Sequence, residues 1–341
     1  MKVLAFPAYK NEKSNPYNAL LYRAVVDKDL DVIEFSLKKL FLFRYNVVHI
    51  HWPEFYLNSN YYLKALVCSS LLLLGLFIAK LFNKKVVWTV HNLVPHHIKY
   101  KKTNSIFWLL FLKLIDGVVS LSKSNEKILF SAYPELKGVE SSVVYHGLYD
   151  GCYPSGILKN DALKKLGLKE GDRVVLFLGQ VKKYKNVEAL ISVFNSNCTL
   201  KNDYLVIAGK FESQAYFEEI KAQAKSENIL IFDGFVDTQD MQVYFSAADV
   251  SVLPFNNIFN SGSALLSVTF KTPVLIPYTE NFEEYSRIIN GMIYTYSGNI
   301  SNELIADVLD GNRNSDSLNL DSLSWSNIAK SLKSFYSKIV L

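Results

Sequence analysis

Apolar runs of strand length alternate with amphipathic segments of helix length along most of the chain, and few folds accept such a pattern. It is the signature of βαβ units building parallel sheets. In the first half the predicted strands are 2–8, 31–36, 46–51, 86–91, 117–121 and 142–145, with helices near 15–27, 60–82, 104–116 and 123–132. The alternation breaks at "YHGLYDGCYPSGILKNDALKKLGLKEGD", where glycine, proline and charge cluster, and restarts at "RVVLFLG". Strands are then expected at 173–178, 204–208, 229–232, 249–253 and 273–276, with helices at 186–195, 213–226, 239–247 and 262–270. A chain of 341 residues exceeds what one core usually supports. The expectation is two doubly wound α/β domains, 1–155 and 156–320, facing across a cleft. The segment 321–341 has Ile328, Leu332, Phe335 and Ile339 at helical spacing, so it reads as a terminal amphipathic helix packing back on the first domain.

Composition excludes several classes. Half the residues are hydrophobic, which argues against disorder, and a net charge of +5 without an arginine-rich run argues against nucleic acid. Cys68, Cys152 and Cys198 are widely spaced, so neither a disulfide framework nor a zinc ribbon is suggested, and a reducing cytoplasm fits. "MKVLAF" is too short an apolar run for a signal peptide and reads as a strand. Between Lys64 and Lys80 the apolar span is 15 residues, short of the roughly 18 expected of a spanning helix. It is either buried or apposed to a membrane; lysines at 84, 85, 99, 101 and 102 leave open peripheral contact with an anionic inner-membrane surface.

In open α/β sheets ligands bind beyond the carboxyl ends of strands, so chemistry is sought there. "LFLGQVKKYKNVEALISVF" offers Gly179 for a tight turn, then Lys182, Lys183 and Lys185 before a helix. This is a diphosphate site in outline, or an ordinary loop with solvated lysines. "YLVIAGK" ends a second strand in Gly209, and Asn260, Ser261, Gly262 and Ser263 open a later helix as an anion cradle.

Taken in order, "LGQVKKYKN", "LVIAGK", "GFVDTQDMQVYFSAADVSVLPF" and "ALLSVTFKTPVLIP" resemble the donor-binding half of the GT-B glycosyltransferases with the group 1 pattern, over residues 173–277. The resemblance implies that Lys185, with Lys182 behind it, meets the diphosphate of a GDP- or UDP-sugar. It implies that Phe235 and Val236, after Gly234, meet the nucleotide base, although core packing of Phe235 is an open alternative. One departure matters. The two glutamates of retaining members fall on Ile258 and Leu266 here, so Ser261, Gly262 and Ser263 are left to hold the donor, with Glu283 or Glu284 as a further contact.

In the first half, "HIHWPE" and "TVHNLVPHH" resemble bacterial exopolysaccharide and O-antigen glycosyltransferases, including inverting β-mannosyltransferases. The implied acceptor is a glycan or glycolipid. His91 and His51 end strands at the expected cleft; His91 near its pKa would approach the donor or take a proton from the acceptor hydroxyl, and Glu54 is the carboxylate best placed as a base. His49 alternates into the sheet, His96 and His97 lie on the loop beyond, and His146 with Gly147 reads as interdomain packing. The histidine spacing does not suit zinc, and no metal or other cofactor is expected. The rival functions are a non-hydrolysing sugar-nucleotide epimerase and a degenerate, non-catalytic nucleotide-sugar binder.

Overall fold

In the computed structural model, which describes residues 1–94, 98–196, 203–256, 258–311 and 320–341, the chain divides into two compact units. The first comprises Met1–Gly147 and Asp321–Leu341, the second Leu148–Leu320.

The first unit is a six-stranded parallel sheet in the order β2-β1-β3-β4-β5-β6, formed by β1 Lys2–Phe6, β2 Asp31–Glu34, β3 Val47–Ile50, β4 Lys85–Val90, β5 Gly117–Ser120 and β6 Glu140–Val143. Residues of β3 and β5 are buried throughout, as expected of parallel strands covered on both faces. The strand order reverses at β1, which puts a crevice beyond the carboxyl ends of β1 and β3. Helix α1 (Tyr17–Val25) packs against the last helix, α13 (Trp325–Val340), capped by Ser324. Ile328, Leu332, Phe335 and Ile339 are all buried, so the terminal helix completes the first unit as its periodicity predicts. It lies close to the sheet: a Cβ on Gly117 would sit 2.3 Å from Ile339 and 2.7 Å from Phe335. Gly147 is likewise covered by Trp325, and His146 packs on Tyr17, so these two residues are core of the first unit, correcting their assignment to interdomain packing. Packing here is decided by tertiary neighbours remote in sequence.

Three further helices cover this sheet: α2 (Leu37–Leu40), α3 (Tyr62–Leu81) and α4 (Lys101–Leu112), with α5 (Lys123–Ala132) following β5. Helix α3 has the length and hydropathy of a membrane-crossing helix, yet Ala65, Ser69, Leu72, Leu76 and Ala79 form a stripe buried against the unit. Its other face leaves Leu63, Val67, Leu74, Phe77 and Leu81 exposed, and α4 adds Ile106 and Leu109.

The second unit repeats the architecture in the order β12-β11-β10-β7-β8-β9: β7 Arg173–Leu178, β8 Asp203–Gly209, β9 Ile229–Asp233, β10 Val250–Val252, β11 Val274–Pro277 and β12 Ile293–Tyr296, all parallel. Its switch point lies between β7 and β10. The helices are α6 (Lys159–Lys165), α7 (Val187–Asn195), α8 (Gln214–Gln223), α9 (Met241–Ala247), α10 (Gly262–Thr269), α11 (Glu280–Ile288) and α12 (Asn302–Asp310). The short helix α2, and α6, α11, β12 and α12, were not anticipated. They are short, and α11 is polar enough to hide its buried Phe282 and Tyr285.

Candidate active site

Three strands of the second unit, β7, β8 and β9, run into Gly179, Gly209 and Gly234, each with φ near +143°. Only glycine adopts that backbone readily. A Cβ on Gly209 would lie 1.9 Å from the Gly179 carbonyl oxygen, so the two turns touch. The space above Gly179 is bounded by Lys185 Nζ and Ser263 Oγ, 3.3 and 3.6 Å from where its Cβ would be. A lysine ammonium and the first turn of α10 thus converge at the switch point.

Lys185 sits in the 3-10 turn Lys183–Lys185 and is only 8% exposed. Its Nζ lies 5.2 Å from the Phe255 ring centre and 5.9 Å from that of Phe177, within cation–π range. Burial, and then the nearby Lys182 charge, push its pKa down to about 8. No carboxylate among the described residues pairs with it. A buried cation without a counter-charge is destabilising, and an arriving anion would relieve it. Ser261 spends its hydroxyl on the Ala264 N–H at 3.2 Å as the α10 cap, while the Gly262 backbone is approached by the Tyr149 hydroxyl.

Phe235 is 68% exposed and Val236 half-buried, so core packing does not account for Phe235 and its face is open to a planar ligand. Glu283 belongs to the first turn of α11 and pairs with Arg287 at 3.0 Å; Glu284, next to it, is half-buried. Leu266, at one of the missing glutamate positions, packs on the core formed by Val174 and Leu176.

The first unit gathers its histidines into a buried hydrogen-bonded chain. His49 Nδ1 meets the Tyr336 hydroxyl at 2.5 Å and Nε2 meets Thr89 Oγ1 at 2.7 Å. Tyr336 also hydrogen-bonds Tyr22, whose hydroxyl lies 2.5 Å from His51 Nε2. His51 Nδ1 in turn lies 2.9 Å from His91 Nε2. One of those two nitrogens must donate and the other accept, so the pair holds at least one neutral ring. Trp52 stacks on His91 with ring centres 4.5 Å apart and 19° between planes, and Tyr17 meets His91 edge-on.

Burial pushes His49 and His91 down to about 3, His146 to about 4 and His51 well below its ordinary value; in His91 the neighbouring His146 and His49 add to the effect. This corrects the expectation that His91 titrates near neutrality. It is a neutral hydrogen-bonding group held in place by His51 and Trp52. Glu54 lies on the 3-10 turn Pro53–Asn58 beyond β3, and burial raises its carboxyl above the usual range. His96 and His97 lie outside the described residues. Among the described residues no three His, Cys, Asp or Glu side chains are grouped to hold a metal ion. Sequence reasoning missed Tyr17, Tyr22 and Tyr336, which carry no local motif, and Phe255, which shelters Lys185.

Residues 159–285 match the family of glycosyl transferases group 1. Among similar proteins, a GDP-mannose:glycolipid 4-beta-D-mannosyltransferase of Xanthomonas campestris is 26% identical over 307 residues, covering 88% of this chain and 80% of the relative. An alpha-monoglucosyldiacylglycerol synthase of Streptococcus pneumoniae is 28% identical over 291 residues, covering 78% of this chain and 64% of the relative. Among solved structures, HepE of Anabaena in complex with UDP-glucose superposes with a TM-score of 0.62 at 15% identity, over 99% of this chain and 98% of that one. WaaG, a glycosyltransferase involved in lipopolysaccharide biosynthesis, gives 0.60 at 13% identity, over 100% and 98%. Two parallel sheets in this arrangement are the GT-B fold.

Proposed function

We infer that this chain, a nucleotide-sugar-dependent glycosyltransferase of GT-B fold, moves a hexosyl group from a nucleoside-diphosphate sugar to a hydroxyl of a lipid-linked saccharide in the synthesis of a surface polysaccharide. The observation that carries the reading is Lys185: a buried ammonium without a counter-charge among the described residues, at a glycine-turned strand edge beside the first turn of α10. In the reaction the acceptor oxygen bonds to the anomeric carbon as the bond from that carbon to the phosphate oxygen breaks. Negative charge then develops on the leaving diphosphate, where Lys185 and the α10 N–H groups stabilise it, so that no metal is required. The acceptor proton goes to a base. Glu54, with its raised pKa, suits that task better than His91, which we assign to hydrogen-bonding and orientation.

The relative that spans most of this chain is named for GDP-mannose and a glycolipid, which supports GDP-mannose as the first donor to test. Supporting a membrane-resident acceptor, α3 and α4 expose leucines, Phe77 and Ile106 beside Lys64, Lys101 and Lys102, a pairing of apolar surface with cations that suits the surface of an anionic bilayer. The chain would then work as a peripheral protein on the cytoplasmic face of the inner membrane.

The deciding experiment incubates the protein with GDP-mannose and a panel of UDP-sugars, with and without a glycolipid extract and with and without chelator. Released nucleoside diphosphate and labelled lipid are measured. Transfer that requires the lipid and survives the chelator is expected. Acceptor-independent turnover would point to an epimerase, and nucleotide binding without turnover on any donor would leave a non-catalytic binder.

A further inference from the structure

The crevice at the first unit's switch point holds a cavity of about 520 Å³ that no histidine among the described residues lines. Its walls are aromatic. Phe6, the last residue of β1, stacks on Phe35 at 4.6 Å and on Tyr56 at 5.5 Å, and meets Phe55 edge-on at 5.6 Å. Trp52, the fifth ring against the cavity, is the residue that stacks on His91. The carboxylate of Glu34 also borders the cavity but is already spent, accepting from the backbone N–H groups of Ala8, Tyr9 and Lys10 at 3.3, 2.7 and 3.0 Å. The one cationic group on the cavity is the Lys10 ammonium, which makes no ion pair among the described residues.

Phe55 and Tyr56 belong to the 3-10 turn Pro53–Asn58, and this same turn packs on α3 and α4, the helices with the exposed apolar face. One element thus borders both the cavity and the two helices that carry exposed apolar side chains, and its Phe55 is itself 63% exposed. Such a lining suits a hydrocarbon chain, and the Lys10 ammonium at its border asks for a negatively charged head.

We propose that this cavity holds the head-proximal end of the acceptor's lipid chain, with its phosphate beside Lys10. The proposal rests on the glycolipid-acceptor reading above. It adds a lipid-binding site within the first unit, one indole ring away from His91.

The test is equilibrium binding to the full chain, followed by calorimetry and tryptophan fluorescence, with farnesyl phosphate below its micelle concentration as the probe. Saturable one-site binding is expected. Shortened alkyl phosphates should lose about fourfold in affinity per methylene removed, the value of one buried CH₂. Phe55→Asp, at a position 63% exposed in the free protein, should weaken farnesyl phosphate by about tenfold or more, since a charge covered by the bound chain costs well over about 1.4 kcal/mol. Lys10→Ala should weaken farnesyl phosphate but not farnesol. Phe77→Ser, on the open face of α3, should leave both unchanged. Equal affinity in the parent and Phe55→Asp proteins would overturn the proposal, as would loss in Phe77→Ser to the same extent. So would methyl mannoside binding that depends on Phe55 while farnesyl phosphate binding does not. No turnover enters these measurements, so a failure of the transfer reaction and a failure of the lipid site are read separately.

Discussion

Lys185 shows at the scale of one residue how a binding group is held at a cost to the fold. Its folded pKa of about 8 lies below its unfolded value near 10.5; at neutral pH both states carry the proton, so the full cost of burying the ammonium works against folding, and it is relieved only as pH rises above about 8. Lys185→Met should therefore stabilise the second unit by about 1–3 kcal/mol, the order set by a depression of roughly two pH units. The same change should weaken nucleoside diphosphate by about 10- to 100-fold, in keeping with a charged hydrogen bond worth roughly 1.5–3 kcal/mol. Calorimetry and a urea titration read the two effects, and a variant that is both less stable and equally tight would refute the role. In the parent protein the affinity should fall as pH rises through about 8. A second residue-scale prediction separates crowding from backbone strain. Gly209→Ala drives a methyl into the Gly179 carbonyl and should cost more than about 3 kcal/mol, whereas Gly234→Ala meets open space and should cost only the about 1–2 kcal/mol of its φ. That Gly179 and Lys185 lie close together could be read at this scale, because the two are neighbours in one loop. The shelter of Lys185 by Phe255, 70 positions later, had no local signal.

At the scale of elements, α13 illustrates what periodicity can and cannot tell. Its apolar positions announce a helix and the face it buries, and the structure keeps both. They do not announce that Tyr336 crosses 287 positions of sequence to hold His49. His49 could be read as pointing into the sheet, but its partners Tyr336 and Thr89 come from two other elements and only folding brings them together. Tyr336→Phe keeps the ring and removes the hydroxyl, leaving a buried ring nitrogen and the Tyr22 hydroxyl short of a partner. A loss of about 1–3 kcal/mol is expected, the cost of an unsatisfied buried polar group. If α13 were a loosely attached tail, thermal unfolding of this variant would match the parent. The α3 segment shows another limit: its apolar span announces the helix but not which side of it is buried, because burial is settled by one stripe of six small and aliphatic residues.

At the scale of the whole molecule the two units are chemically unequal. All six histidines and all four tryptophans lie in the first unit, and none lies in the second. Four of those histidines are buried with folded pKa values lowered to about 3 or 4, or well below the ordinary value. A depressed folded pKa means that the native state binds fewer protons than the unfolded chain once the pH drops below about 6.5. The stabilisation is therefore complete above 6.5 and is lost as pH falls toward the folded values. Each neutral buried ring contributes a slope of about 1.4 kcal/mol per pH unit in that window, so lowering the pH from 7.5 to 5.5 should cost the first unit on the order of 5 kcal/mol. Nothing comparable acts on the second unit in that window, since it has no histidine to titrate. Tryptophan emission reports the first unit alone, whereas far-ultraviolet circular dichroism reports both. On acidification the melting temperature followed by fluorescence should fall well ahead of the later part of the dichroism transition. A fluorescence midpoint that holds steady between pH 7.5 and 5.5 would mean that the histidine chain takes up protons without unfolding, and would remove its neutrality as a condition of the fold.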